Sequence, residues 1–210
     1  MNVSVPYALP QIEVDRFLRQ KARWIFQKIT EIKVNRVSVR KRTFDDGGEF
    51  LFLGKSHQLR VHVKDVKKAA IGFDDTGWTI SVPAGLSVTA RQRAVKSKLI
   101  QWYRRQAEEI LGSRVFHYSR IMNIEPKKIA VRSFKRVWGN CDYRAQKIQL
   151  NWQIVLSPIQ VIDYVVVHEL CHLFHPNHSK RFWKKVEGFM PDFKEHKKWL
   201  NAHMVDMVFT

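Results

Sequence analysis

The stretch that decides how this chain reads is SPIQVIDYVVVHELCHLFHPNHSKRFW, residues 157–183. Ser157-Pro158-Ile159-Gln160 offers Ser at an N-cap, Pro at the first helical position and Gln at the third, the pattern of a capping box. The helix it starts is predicted to run to about Phe174, since His175 precedes Pro176 and a residue before proline leaves the helical well. His168 and His172 stand four apart on it, so their imidazoles leave one face about a turn apart. Two nitrogens so placed reach one zinc at about 2.0–2.1 Å. Glu169 is offset around the helix, which suits a carboxylate acting on water as a general base rather than on the metal. Pro176 turns the chain, and His178 can fold back as a third ligand. Three protein ligands and an open fourth position describe a catalytic zinc site.

Helix-end electrostatics offers a plainer account, in which imidazolium groups complement the dipole. That covers His172 and His175 but not His168 and Glu169 in mid-helix. His175 itself reads as a residue behind the ligands or facing solvent. Cys171 lies about 100° around the helix from His172 and reads as a packed thiol. The spacing of residues 168, 172 and 178 also fits a metzincin, but that pattern wants Gly at 175, and no Met-turn follows.

Outward from the motif, residues 11–34 carry apolar residues at helical spacing. Residues 36–90 switch to short alternating runs, RVSVR, EFLFLG, QLRVHV and WTISVP, broken by DDGG, GKS and DDTG; this predicts a meander of strands. Residues 91–122 return to helical period around Val95, Leu99, Trp102, Tyr103 and Ile110. Strands are expected near KIAVRSF (128–134) and KIQLNW (147–152), and helices over about 179–189 and from an Asp192/Glu195 capping box to about His203. The layout is α+β, a β-rich N-terminal half followed by a helical one. It divides as an N-terminal helix and β region (1–90) and a core (91–210), or runs as one continuous domain.

The chain has 210 residues, 45% hydrophobic and 12% aromatic, enough for a real core. Its apolar runs are too short to span a bilayer, so no membrane partner is expected. With two cysteines and no signal-like N-terminus, the expected setting is cytoplasmic. The formal net charge of +18 is the outlier. It favours anionic partners, among them nucleic acid through a basic surface. No nucleic-acid-binding motif accompanies the charge, and the oligomeric state is not legible.

From EFLFLGKSHQLRV (49–61) through WLNAHMV (199–205), the chain resembles the YgjP-like metallopeptidases, relatives of the SprT-like and WLM zincins. The strongest likeness lies in VRSFKRVWGNCDYRAQKIQLNW (131–152), the motif stretch and MPDFKEHKKWL (190–200). The family's Trp-Gly-Ser-Cys turn reads Trp138-Gly139-Asn140-Cys141 here, with Val137 where Arg is usual. The resemblance implies a minimal zincin-like core with C-terminal helices, one zinc on His168, His172 and His178, and Glu169 as general base. It also implies that KIQLNW is a strand near the active helix. In such folds an edge strand can take an extended peptide, with Asn151 and Trp152 bordering the cleft, although Trp152 reads equally as core. Phe182, Trp183 and Trp199 are expected to pack the last helices against the active one. Arg132, Lys135 and Arg136 present charge to an anionic substrate or to solvent. The leading function is a zinc metallopeptidase acting on protein or peptide. A zinc hydrolase of nucleotides or other phosphoanhydrides, a DNA-associated protease and a nucleic-acid-binding protein stay open beside it.

Overall fold

The computed structural model describes residues 9–37, 43–207 and 209. The chain divides into two compact units, Met1–Arg40 and Lys41–Thr210. The first contains one helix, α1 (Gln11–Val37), whose opening turn is set by the Pro10 carbonyl accepting the Glu13 and Val14 amides. It absorbs Arg36 and Val37 of the expected strand RVSVR; residues 38–40 of that stretch lie outside the described residues.

The second unit begins with four strands, β1 (Glu49–Phe52), β2 (Lys55–Lys64), β3 (Ala70–Asp74) and β4 (Gly77–Pro83). Their order is β1-β2-β4-β3, with β2 and β4 parallel, so the expected meander is not the observed topology. After β2 the chain crosses to the far edge, where β3 adds antiparallel outside β4. Placing Leu59 beside Trp78 and Val61 beside Ile80 turns apolar side chains of both central strands to one face. The 35-residue α2 (Val88–Met122), capped by Ser87 Oγ accepting the Ala90 amide, covers that face. Trp78 and Trp102 meet edge to face with centroids 5.4 Å apart, and the Tyr103 hydroxyl donates to the Leu51 carbonyl at 2.7 Å. Strands before residue 90 and helices after it therefore share one core.

A second, three-stranded sheet carries the chain to the motif: β5 (Lys128–Arg132), β6 (Gly139–Asp142) and β7 (Lys147–Asn151), in the order β5-β7-β6. β7 is central, parallel to β5 and antiparallel to β6. KIQLNW therefore cannot be the peptide-accepting edge that the resemblance suggested; both of its edges are paired. β6, four residues of weak strand propensity, forms because β7 presents a free edge. Its turn back is held by Asp142 Oδ1, which accepts the Arg144 and Ala145 amides.

A 3-10 turn, Trp152–Leu156, leads into α3 (Ile159–Cys171). The expected capping box does not form. Ser157 Oγ donates backward to the Ile154 carbonyl at 2.6 Å, closing the 3-10 turn, and Pro158 takes the cap position without a side-chain bond. Pro158 is fixed from outside: Gly54 lies against it so closely that a Cβ there would fall 2.6 Å from Pro158 Cγ. Gly54 also has φ +79°, a conformation glycine adopts freely. Its amide and that of Leu53 donate to Leu156 and Val155, tying the β1–β2 turn to the start of α3. Residues 161–167 of α3 are all buried, as befits a helix that is apolar nearly all round. The exception is Asp163, whose carboxylate receives Nε and Nη2 of Arg114 on α2 at 2.5 and 2.7 Å. Two last helices follow, α4 (Lys180–Phe189) and α5 (Phe193–His203). Asp192 does not cap α5 but binds His196 Nε2 at 3.0 Å.

Candidate metal centre

The motif helix stops earlier than Phe174. The amides of His172, Leu173 and Phe174 turn to the carbonyls three residues back, at 3.2, 3.1 and 3.1 Å. This 3-10 tightening makes His172 the C-cap and swings the chain into the Pro176 turn. His178 then returns over His168, with the two Nε2 atoms 2.9 Å apart. One nitrogen from each of His168, His172 and His178 lies within 4.8 Å of the others. Nitrogens on a tetrahedral zinc are about 3.3 Å apart, so the cluster has the right size.

Its chemistry fits as well. A metal takes the neutral imidazole. Burial first, then His172, His178 and Lys197, lowers His168 to about 3. Burial likewise lowers His172, partly opposed by the His175 carbonyl. That carbonyl lies 3.2 Å from His172 Nδ1. A proton on Nδ1 is thereby held and Nε2 is left with its lone pair, as a metal ligand requires. His175 therefore serves the cluster through its backbone. His168 Nδ1 is buried without a partner.

Aromatic side chains of α4 back the cluster. Ser179 Oγ accepts the Phe182 amide to start the helix. The Phe182 ring then lies 4.5, 4.8 and 4.9 Å from the His172, His178 and His168 rings. Trp183 stacks on His178 at 5.5 Å and on Phe193 of α5 at 5.4 Å. Trp199 is partly buried and stacks on His203 at 4.1 Å.

The cluster opens into a cavity of roughly 400 Å³. One wall is Val137–Cys141, entering and forming β6; the other is Tyr164 and Val165 of α3 with Leu200 of α5. Glu169 lies between them, 5% exposed, and burial pushes its carboxyl up to about 8. β6 approaches it closely: a Cβ on Gly139 would lie 2.5 Å from Glu169 Oε1. Burial, then Glu169 and Asp142, pushes Cys141 up to about 12. Cys171 is fully buried, a packed thiol as expected.

Asn151 does not border the cavity. Buried beneath the wall, it donates through Nδ2 to the Phe134 and Val137 carbonyls at 3.0 and 3.1 Å, while its amide takes the Trp138 carbonyl at 2.8 Å. Trp152 is core, its Nε1 donating to Ser133 Oγ. Arg132, Lys135 and Arg136 are exposed and line no part of the cavity.

Three convergent imidazoles, a buried carboxyl and an edge strand beside them are the apparatus of a metal-dependent hydrolase. The chain belongs to the YgjP-like family, whose metallopeptidase domain matches residues 1–203. It is a metallopeptidase of the α+β class. No curated protein matches it. Among solved structures it is similar to the metallopeptidase zymogen abylysin of Pyrococcus abyssi, at 22% identity and a TM-score of 0.40, over 43% of this chain and 92% of that one. It is also similar to the zymogen jannalysin of Methanocaldococcus jannaschii, at 18% identity and a TM-score of 0.41, over 45% and 96%. Among the described residues no helix is long and apolar enough to cross a membrane.

Proposed function

We propose that the protein is a zinc-dependent peptidase in which His168, His172 and His178 hold one zinc per chain and Glu169 is the general base. The observation that carries this reading is the convergence of the three imidazole nitrogens within 4.8 Å, beside a buried carboxyl that makes no other bond. Zinc bound there would supply Lewis acidity, polarising the scissile carbonyl and acidifying water. The chain's own groups do the rest. Glu169 accepts a proton from the attacking water as its oxygen bonds to the carbonyl carbon. It returns that proton to the amine nitrogen as the C–N bond breaks. Gly139 permits this by keeping the space over the carboxyl clear, and β6 gives the cleft an edge along which an extended peptide can lie.

The decisive comparison is the wild type against Glu169→Gln, with zinc measured by elemental analysis and cleavage of an unfolded protein followed by mass spectrometry. About one zinc per chain in both, with chelator-sensitive cleavage in the wild type alone, is expected. Cleavage by the variant at the wild-type rate would remove Glu169 from the mechanism. Absence of zinc from the wild type would remove the metal assignment.

A further inference from the structure

The wall opposite β6 contains a polar group that hydrolysis, as derived above, does not use. Tyr164 is 5% exposed and lines the cavity one turn before His168. Its ring is fixed against His168 at 5.8 Å and Phe193 at 6.5 Å. Its hydroxyl makes no hydrogen bond to the described residues. A buried hydroxyl without a partner costs about 1–3 kcal/mol, so this one is placed to be satisfied from the cavity. The surfaces beside it, Val165 and Leu200, are apolar. Together they form a slot for an aliphatic stem that ends in a hydrogen-bonding group.

The slot runs from the histidine cluster toward the start of α3. Four helical residues advance about 6 Å, the distance from a scissile carbonyl to the side chain of an adjoining residue. The sign of the group it suits comes from α5. Lys197, one turn before Leu200, holds its ammonium 4.2 Å from the Trp183 ring, and that ring lies 5.7 Å from His168. Among the described residues Lys197 has no carboxylate partner. The net charge of +18 adds a long-range field of the same sign. A phenol can either donate or accept, but a cationic side chain would enter against Lys197.

We propose that Tyr164 is a specificity-determining residue: its hydroxyl donates to the carboxylate of an acidic substrate side chain beside the scissile bond, in a slot walled by Val165 and Leu200, with Lys197 supplying the favourable charge. This rests on the peptidase reading above. It adds the substrate class, peptides carrying glutamate or aspartate next to the cleaved bond. The same carboxylate chemistry could come from a free peptide C-terminus, which the test separates.

The experiment uses the zinc-loaded full chain and peptides that differ only in the residues flanking the cleaved bond, Glu, Gln, Leu or Lys, each with a free or an amidated C-terminus. The wild type is expected to favour Glu over Leu and Lys irrespective of amidation. Tyr164→Phe, which removes one oxygen and keeps the ring packing, is expected to lower the Glu-to-Leu ratio of kcat/KM by about tenfold or more. Lys197→Glu is expected to shift the Glu-to-Lys ratio toward Lys by about fivefold. A Glu-to-Leu ratio that is unchanged in Tyr164→Phe, or rates that fall equally for all peptides, would overturn the assignment. A preference that vanishes on amidation would move the carboxylate from the side chain to the C-terminus and also overturn it. Calorimetric binding of the Glu and Leu peptides to Glu169→Gln protein, with and without Tyr164→Phe, reads the same ratio without turnover. If the wild type cleaves nothing, the peptidase reading fails, and this binding ratio still decides the role of Tyr164.

Discussion

The two sheets of the second unit put similar material to different uses. The four-stranded sheet turns Phe50, Phe52, Leu59, Trp78, Ile80 and Val82 into an aromatic core under α2, each of them at most 9% exposed. It contributes no residue to the cavity. The three-stranded sheet buries little beyond Ile148, Leu150 and Asn151, but its edge strand β6 lies directly over Glu169. The larger sheet secures α2, and α2 secures α3 through apolar packing and the Arg114–Asp163 pair. The smaller sheet shapes the reaction space. Stability and chemistry are thus separable here, and substitutions should sort accordingly.

The largest effect on turnover is expected from Glu169→Gln, a loss of about 10³-fold or more in kcat with metal retained. Stopped assays with chelator controls measure it. In the larger sheet, Trp78→Ala should remove about 3–5 kcal/mol of stability by opening a cavity among Trp102, Phe50 and Tyr103, read by chemical denaturation. Its kcat at temperatures where it stays folded should remain near that of the wild type. A large kcat loss there would break the separation.

Gly139→Ala tests the opposite case. The added methyl has nowhere to go but into Glu169. The variant should lose about 10²-fold in kcat, since small displacements of a catalytic group are costly, while its midpoint of unfolding moves little. Between these extremes, Asp163→Ala leaves the Arg114 guanidinium facing α3 without its partner. Because Arg114 is partly solvated (27% exposed), the cost should be about 2 kcal/mol, below that of a fully buried pair.

The smallest effect concerns pH. In metal-free protein, burial raises Glu169 from 4.5 to about 8. A raised carboxyl contributes stability fully below its unfolded pKa and loses it as pH climbs through the folded one. Metal-free wild type should therefore weaken between pH 4.5 and 8, and Glu169→Gln should not. The two melting temperatures should be nearest at pH 4 and farthest apart near pH 9. Parallel curves would show that the carboxyl is not desolvated.

Much of the site was legible because it is local. The i, i+4 histidines, Glu169 between them and the Pro176 turn are fixed by helix geometry and by proline's effect on its neighbour, and both travel with the sequence. Cys171 as a packed thiol and Phe182 behind the ligands follow from the same periodicity. Elements that depend on a distant partner were not legible. Ser157 reads as an N-cap, yet its hydroxyl closes the preceding 3-10 turn, because Gly54, a hundred residues away, presses Pro158 into the cap position. β6 has no strand signal of its own and exists only against β7. Tyr164, within an apolar run, reads as core until Val165, Leu200 and the unpaired hydroxyl are seen to face one cavity.

The sequence by itself therefore determined the chemistry: which imidazoles converge, which carboxyl accompanies them and which strongly positive field surrounds them. Only the tertiary structure decided the cleft, namely which strand forms its edge, that Asn151 supports the wall from behind, and that Gly139 must stay bare. The physical reason is one of range. Ligand spacing is set by 3.6 residues per turn within a single helix. A cleft wall is set by the packing of segments far apart in the chain, and no local pattern encodes which of them will meet.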